Sequence, residues 1–377
     1  MTTVSANSSI APTSSHSIPT MSSKGYWQCE CGKTLRFALE LAGKKGRCPA
    51  CSRRFVIPSL APVEGAFSTL RGHTGPIRAV AFSPDRRLVA TAAEVASPAA
   101  KSELAEAFLW DVNSAIPLAR LHWHRNSIAA LAFSPDGRVL ATAGKDHAIS
   151  IWNVERGLWD TVIGVHEWAL YGHQAAVTAV AFSPTVACLV TAATDQTLRF
   201  WDPESWTLIR TINVGRTGEG RIAFSPCGRY LASVWSSRGP ATIWNAANGE
   251  RHLELRLPVD EDSADTEVGF SPDGSRLIVL SEHQVRLWDI STCQVLASFE
   301  APGTESLAVS PRTAVIATGG YDAETGANVS LWDAASLART REFGGHGQPV
   351  SAVAFSCDGK MLVSGGRDGV ANVWEVG

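Results

Sequence analysis

Apolar positions in this chain come in short runs. Val177–Ser183, Cys188–Ala193 and Thr197–Trp201 are representative. The first alternates small with bulky residues and the third alternates polar with apolar ones. Ser-Pro separates the first two runs, and Thr-Asp-Gln the last two. Runs of this length between turn residues predict strands of an antiparallel meander. The pattern then recurs. Trp110, Trp152, Trp201, Trp244, Trp288, Trp332 and Trp374 each close one copy, at spacings of 42, 49, 43, 44, 44 and 42 residues. Each copy also holds a run like Ala79-Val80-Ala81-Phe82-Ser83, ending in Ser-Pro or, at Ser356-Cys357, a variant of it. A lone sheet of this kind has two open edges and cannot bury its own faces, so the copies must cover one another.

A period of about 40–45 residues, with Gly-His early and Trp-Asp late, marks a four-stranded propeller blade. Gly72-His73, Gly172-His173 and Gly345-His346 supply the first signal. Trp110-Asp111, Trp201-Asp202, Trp288-Asp289 and Trp332-Asp333 supply the second, with Trp152-Asn153, Trp244-Asn245 and Trp374-Glu375 as variants. On these residues the chain from Gly65 to Gly377 resembles the WD-repeat family. The resemblance implies an all-β fold, a seven-bladed β-propeller. The segment Gly65–Arg71 looks like the strand that precedes Gly-His elsewhere (compare Leu208–Ile212), yet it has no repeat before it. The last copy lacks its fourth strand. The first segment is therefore expected to close the ring by joining the last sheet, which removes open edges. In the Ser-Pro-Asp-Gly turns at 134–137 and 271–274, Pro presets φ and Gly ends the turn.

Three copies hold His, Ser/Thr, Asp and Trp at fixed offsets: His124, Thr142, Asp146 and Trp152; His173, Thr191, Asp195 and Trp201; His346, Ser364, Asp368 and Trp374. A hydroxyl, an imidazole and a carboxylate could suggest a nucleophile triad. A triad does not recur three times in one ring. The WD-repeat resemblance implies instead a structural hydrogen-bond relay from Trp through Ser/Thr and His to Asp. Copy one keeps His73 and Thr91 but not the Asp. Copies four and five lack Gly-His and the Asp, and copy six keeps Thr318 and Asp322 without a His. Blades four to six are expected to rest mainly on apolar packing and to be the softer side.

Before the repeats the chain changes character. Residues 1–23, rich in Ser, Thr and Pro, carry no charged side chain and read as a disordered tail. Residues 24–58 hold Cys29, Cys31, Cys48 and Cys51. Two Cys pairs so spaced are a zinc signal, and four thiolates suit one closed, structural Zn2+ site. Unligated or redox-active thiols are the alternative. About 35 residues cannot build an adequate core, so a metal would supply folding energy. Thr34–Phe37 and Arg54–Ile57 are expected strands. With Cys31-Gly32-Lys33 and Leu41-Ala42-Gly43-Lys44 the segment resembles bacterial zinc-ribbon modules, although one residue, not two, parts its first Cys pair. Residues 59–64 form a linker to the propeller at 65–377.

Charge is uneven. Residues 24–60 carry eight Lys/Arg against two Asp/Glu, and the remainder 25 against 34. Tyr26, Trp27 and Phe37 among those cations would allow a nucleic-acid-associated regulator acting through the ribbon; the plainer reading is a solvated basic surface. No run is long enough to span a membrane and no secretory signal opens the chain. The Cys cluster argues for a reducing compartment, read as cytoplasmic. Phosphate loops, nucleophile elbows and dinucleotide fingerprints are absent. The expected function is a monomeric, non-enzymatic scaffold that binds a protein or peptide on the propeller rim. Candidate partner residues are Trp123, Trp235 and the acidic loop with Asp260, Glu261, Asp262 and Asp265; Trp159 and Trp168 sit in the insertion that lengthens the 49-residue spacing.

Overall fold

The computed structural model describes residues 24–28, 34–38, 45–52, 54–56, 65–94, 105–156, 162–185, 188–236, 239–257, 266–322 and 328–376. The tail at 1–23, the linker at 59–64, Cys29, Cys31, Trp159 and the acidic residues Asp260, Glu261, Asp262 and Asp265 lie outside them. The chain divides into two compact units, Met1–Pro62 and Val63–Gly377.

The first unit holds two antiparallel hairpins. β1 (Lys24–Gln28) pairs with β2 (Thr34–Ala38), and β3 (Lys45–Arg47) with β4 (Arg54–Val56). Cys48 and Cys51 lie on the turn between β3 and β4, where the Ser52 N–H donates to the Cys48 carbonyl at 2.8 Å. Cys48 is buried and Cys51 exposed.

The second unit is a ring of seven four-stranded antiparallel sheets. After β5 (Ser68–Arg71), blade 1 is β6 (Ile77–Phe82), β7 (Leu88–Ala93), β8 (Ala107–Asp111) and β9 (Pro117–Leu121). Blade 2 is β10 (Ile128–Phe133), β11 (Val139–Gly144), β12 (Ile149–Arg156) and β13 (Val162–Leu170). Blade 3 is β14 (Val177–Phe182), β15 (Leu189–Ala193), β16 (Thr197–Trp201) and β17 (Leu208–Asn213). Blade 4 is β18 (Gly220–Phe224), β19 (Tyr230–Trp235), β20 (Ala241–Asn245) and β21 (Arg251–Leu255). Blade 5 is β22 (Glu267–Phe270), β23 (Arg276–Ser281), β24 (Gln284–Asp289) and β25 (Gln294–Glu300). Blade 6 is β26 (Thr304–Val309), β27 (Val315–Gly320), β28 (Val329–Asp333) and β29 (Arg339–Phe343). Blade 7 is β30 (Val350–Phe355), β31 (Met361–Gly366) and β32 (Val370–Glu375), and β5 is its outer strand. We call the four strands a to d from the inside outwards. No helix occurs among the described residues.

The two ends of the ring meet in a short ladder. Val370, Ala371, Asn372 and Val373 lie opposite Arg71, Leu70, Thr69 and Ser68. The Phe67 N–H donates to the Val373 carbonyl at 2.7 Å, and the Thr69 hydroxyl to Asn372 Oδ1 at 2.8 Å. The hydrophobic core is not central. It lies in seven wedges between neighbouring blades, and each repeat's Trp fills the wedge against the blade before it. Trp152 packs with Leu109 and Leu121 of blade 1, and Trp201 with Ile149 and Ile151 of blade 2. Trp110 packs with Val363 and Val373 of blade 7, so the seventh wedge is closed like the others.

Two recurrent turns shape each blade. In the a–b turn Ser134 donates its hydroxyl to Asp136 and accepts the Val139 N–H at 2.9 Å. Gly137 takes φ 73° there, which favours glycine. In the c–d turn the Asp of Trp-Asp bonds the amides ahead of it. Asp202 accepts the Glu204 N–H at 2.8 Å, and Asp333 the Ser336 N–H at 2.7 Å. That Asp builds a turn and takes no part in the relay. Blade 2, with Asn153-Val154 in its place, does not turn there. Its strands run on to Arg156 and Val162, so the described part of the longer spacing extends the ladder.

Candidate functional site

The d–a loops and b–c turns meet on one rim, and the relays tie them together. In blade 2, the Trp152 Nε1–H donates to Thr142 Oγ1 at 3.1 Å. Thr142 stands 2.7 Å from His124 Nε2, and His124 Nδ1 3.0 Å from Asp146. With the imidazole proton on Nδ1, every donor in this chain has an acceptor. Asp146 also accepts the Arg125 N–H of the d–a loop at 2.8 Å. Blade 3 repeats the set: Trp201 to Thr191 at 3.0 Å, Thr191 to His173 at 2.8 Å, His173 to Asp195 at 2.9 Å. Blade 7 does so with Trp374, Ser364, His346 and Asp368 at 2.8, 2.8 and 3.3 Å. Burial opposes ionisation of Asp146, but the bonds from His124 and the Arg125 amide outweigh it and hold its carboxyl below the usual range.

The other four blades show what each missing residue costs. In blade 1 the Trp110 Nε1–H donates to Thr91 at 2.7 Å and Thr91 lies 2.6 Å from His73 Nε2. No Asp follows, and His73 Nδ1 is buried without a partner. Burial, with Arg120 adding to it, drives the His73 pKa down to about 3. In blade 4 only the Trp244–Ser233 bond remains, at 2.9 Å. Blade 5 has Val279 where the others have Ser or Thr, and the Trp288 Nε1–H is buried with no acceptor. In blade 6, Trp332 bonds Thr318 at 2.9 Å, while Asp322, having no His to meet, pairs with Arg339 at 3.0 Å.

Blades 4 to 6, expected from the sequence to rest mainly on apolar packing, also carry polar links. In blade 4 the Glu219 N–H donates to Ser236 Oγ at 2.9 Å. His283 of blade 5 reaches the Thr304 carbonyl of blade 6 at 3.1 Å. In blade 6 the Tyr321 N–H lies on the Gly303 carbonyl at 3.1 Å, the same backbone bond that the Lys145 and Thr194 amides make to Ser127 and Ala176 in blades 2 and 3. These links were illegible in the sequence because main-chain groups make most of them.

The inner strands surround a cavity of about 550 Å3 that residues of all seven blades line. Its wall is small: Ala79, Ala130, Ala179 and Ala352 are among the lining residues. Its mouth is charged. Arg78 pairs with Glu94 at 2.9 Å and Arg367 with Glu305 at 2.7 Å. Arg221 lies between Glu267 at 3.0 Å and Glu219 at 3.2 Å. Lys145, on the b–c turn of blade 2, also lines the mouth. It has no carboxylate in ion-pair reach among the described residues. Sequence reasoning missed this set because its members stand at unrelated positions in the repeats.

Of the candidate partner residues, Trp235 must be corrected. It is 6% exposed, and Gly220 makes room for it: a Cβ there would strike its ring. Trp123 is half-buried and stacks on His166, with ring centroids 5.0 Å apart and planes 12° off parallel. Tyr171 lies 6.2 Å from Trp123 and is 68% exposed, and Trp168 on β13 is 55% exposed. Trp123 and Tyr171 belong to the d–a loops on either side of blade 2. Sequence reasoning named Trp123 and Trp168 but passed over Tyr171 and His166. Tyr171, directly before Gly172-His173, was the available signal.

The family description "WD domain, G-beta repeat" matches residues 66–94, 115–153, 164–202 and 337–375. Those four segments contain the four relay histidines. The chain is 26% identical over 277 residues to Periodic tryptophan protein 2 of Arabidopsis thaliana, covering 73% of this chain and 25% of that protein. It is 27% identical over 174 residues to Protein groucho of Drosophila melanogaster, covering 44% of this chain and 23% of that one. It is 28% identical over 167 residues to human Apoptotic protease-activating factor 1, covering 40% and 13%. The matched part is thus a quarter or less of each of these relatives.

Proposed function

We propose that this WD-repeat propeller is a non-enzymatic scaffold that binds a protein or peptide segment on its relay rim. The observation that carries the reading is the channel mouth, a charged opening built by all seven blades and fixed by ion pairs. The four segments that match the description "WD domain, G-beta repeat" support a repeat scaffold. The relay hydroxyls suit structure and not catalysis. Thr142, Thr191 and Ser364 are 0% exposed, and each already accepts a Trp N–H. A nucleophile needs a path to its substrate. The test is affinity capture from a lysate with the intact chain, compared with a chain carrying Arg367→Glu and Arg78→Glu at the mouth. Specific partners lost from the double variant are expected. Capture that ignores the mouth charges contradicts the reading.

In the first unit we propose one structural Zn2+ held by Cys29, Cys31, Cys48 and Cys51. The placement of Cys48 and Cys51 on one tight turn suits a metal knuckle. When bound, the ion would supply folding energy to a unit too small for a core of its own. Elemental analysis of the purified chain should give one zinc per chain, lost in Cys48→Ser/Cys51→Ser. A metal content near zero in the unaltered chain contradicts the assignment.

A further inference from the structure

Resting on the rim reading, we infer that blade 2 is the recognition segment of the rim. Its partner is an extended protein segment with a carboxylate side chain and, three or four residues away, a bulky apolar or aromatic one. Two independent features meet on this blade.

The first is charge. Around the mouth, Arg78 and Arg367 are each matched by one carboxylate, and Arg221 is shared by two. Lys145 of blade 2 is the one of these four cations with no carboxylate in ion-pair reach among the described residues. Arg125, exposed on the d–a loop of blade 2, adds a second cation on the same side. Asp146 beside them is turned inward to His124 and the Arg125 amide. A partner carboxylate is drawn to blade 2 by these two cations.

The second is exposed aromatic surface. Trp123, His166 and Tyr171 form one contiguous group, and Trp168 stands on the same outer strand. Val165, also on β13, is 53% exposed. Exposed Trp and Tyr beside one another are the side chains that anchor protein partners. The outer strands β5, β9, β17, β21 and β29 carry Arg within their span, whereas Val165–Leu170 of β13 has Glu167 as its one charge and β25 has Glu300 as its one charge. Arg and Lys on an edge discourage contact, so β13 and β25 are the two permissive edges, and of these β13 carries the aromatic group. From the b–c turn to the outer strand is two or three strand spacings, roughly 10–15 Å. An extended chain covers that in about three or four residues.

The test is selection of phage-displayed random 12-residue peptides on the full chain. Synthetic copies of the enriched peptides are then titrated by fluorescence anisotropy. Enriched peptides should pair Asp or Glu with Trp, Phe, Tyr or Leu at that separation. Lys145→Glu and Tyr171→Ala should each weaken them at least tenfold, and selection on Lys145→Glu should return Lys or Arg in place of the acid. Tyr171 is largely exposed, so its variant keeps the fold. Peptides that ignore both changes but are lost on Arg367→Glu overturn the blade 2 assignment and leave the rim reading standing. Peptides indifferent to all three, or no enrichment at all, overturn both.

Discussion

At the scale of single residues, the relay shows what one buried polar atom is worth. Asp195 joins His173 to the Gln174 amide, at 2.9 Å each. Asp195→Ala leaves the Gln174 amide without its acceptor and His173 with only Thr197 Oγ1 at 3.2 Å, so it should lower stability by about 1–3 kcal/mol. Urea unfolding measures this, and a change below about 0.5 kcal/mol contradicts the role. The opposite experiment is open in blade 5. Val279→Thr offers Trp288 the acceptor it lacks, and should raise stability by about 1 kcal/mol in the same assay. His73 predicts a pH dependence. Its pKa, about 3 when folded and 6.5 as a free group, means that the unfolded chain binds the proton first. Its contribution is whole above pH 6.5 and falls as pH drops toward 3, with a slope approaching about 1.4 kcal/mol per pH unit. His73→Gln, which cannot titrate, should flatten the stability curve between pH 7 and 5. The relay carboxylates act lower down. Their depressed pKa values give stability that is full above the ordinary carboxylate range and is lost as pH falls through the folded values.

At the scale of the element, each blade must join its d–a loop to its b–c turn, and the repeats do so in different ways. Blades 2, 3 and 7 use His and Asp. Blade 6 keeps the backbone bond that these blades also have, the Tyr321 N–H on the Gly303 carbonyl, without the His, and Gly303 admits no side chain there: a Cβ would overlap the Tyr321 carbonyl, and its φ is 69°. Gly215, with φ 63° but open space around it, isolates the backbone effect. Gly303→Ala should cost more than Gly215→Ala in thermal unfolding, because the second substitution carries left-handed strain of roughly 1 kcal/mol and no clash. Equal losses would mean that the close approach is not needed. Blade 5 combines an orphaned Trp288 with no relay at all. Its amides should exchange faster than those of blades 2 and 3, and equal protection in hydrogen exchange would speak against this ranking.

At the scale of the whole molecule, stability belongs to the ring. Every wedge of core is shared by two blades, so no blade can be lost without exposing two of them. β5 is the fastening, since it covers the edge of β32 with a four-residue ladder and adds Leu70 to the wedge with blade 1. Removing residues 1–60 should leave propeller unfolding unchanged, whereas removal through residue 71 should give an aggregating product in size-exclusion chromatography. A monomeric, stable propeller after the longer truncation would falsify the fastening role.

Much of this was legible in order. Trp110 through Trp374 at near-constant spacing determined the number of blades, because one period codes one sheet that cannot stand alone. His173, Thr191, Asp195 and Trp201 recur at fixed offsets because a relay needs fixed geometry within one blade. The link between Phe67 and Val373 was also legible, since one strand lacked a repeat and one repeat lacked a strand. What tertiary structure alone decided lies between blades. It buried Trp235 under Gly220, left Trp288 without an acceptor, and drew Trp123, His166 and Tyr171 together across two loops. It also set Lys145 alone at a mouth whose other cations are paired. The physical reason is that periodicity encodes contacts within a repeat, whereas burial and charge balance at an interface depend on which repeats become neighbours and how closely they pack.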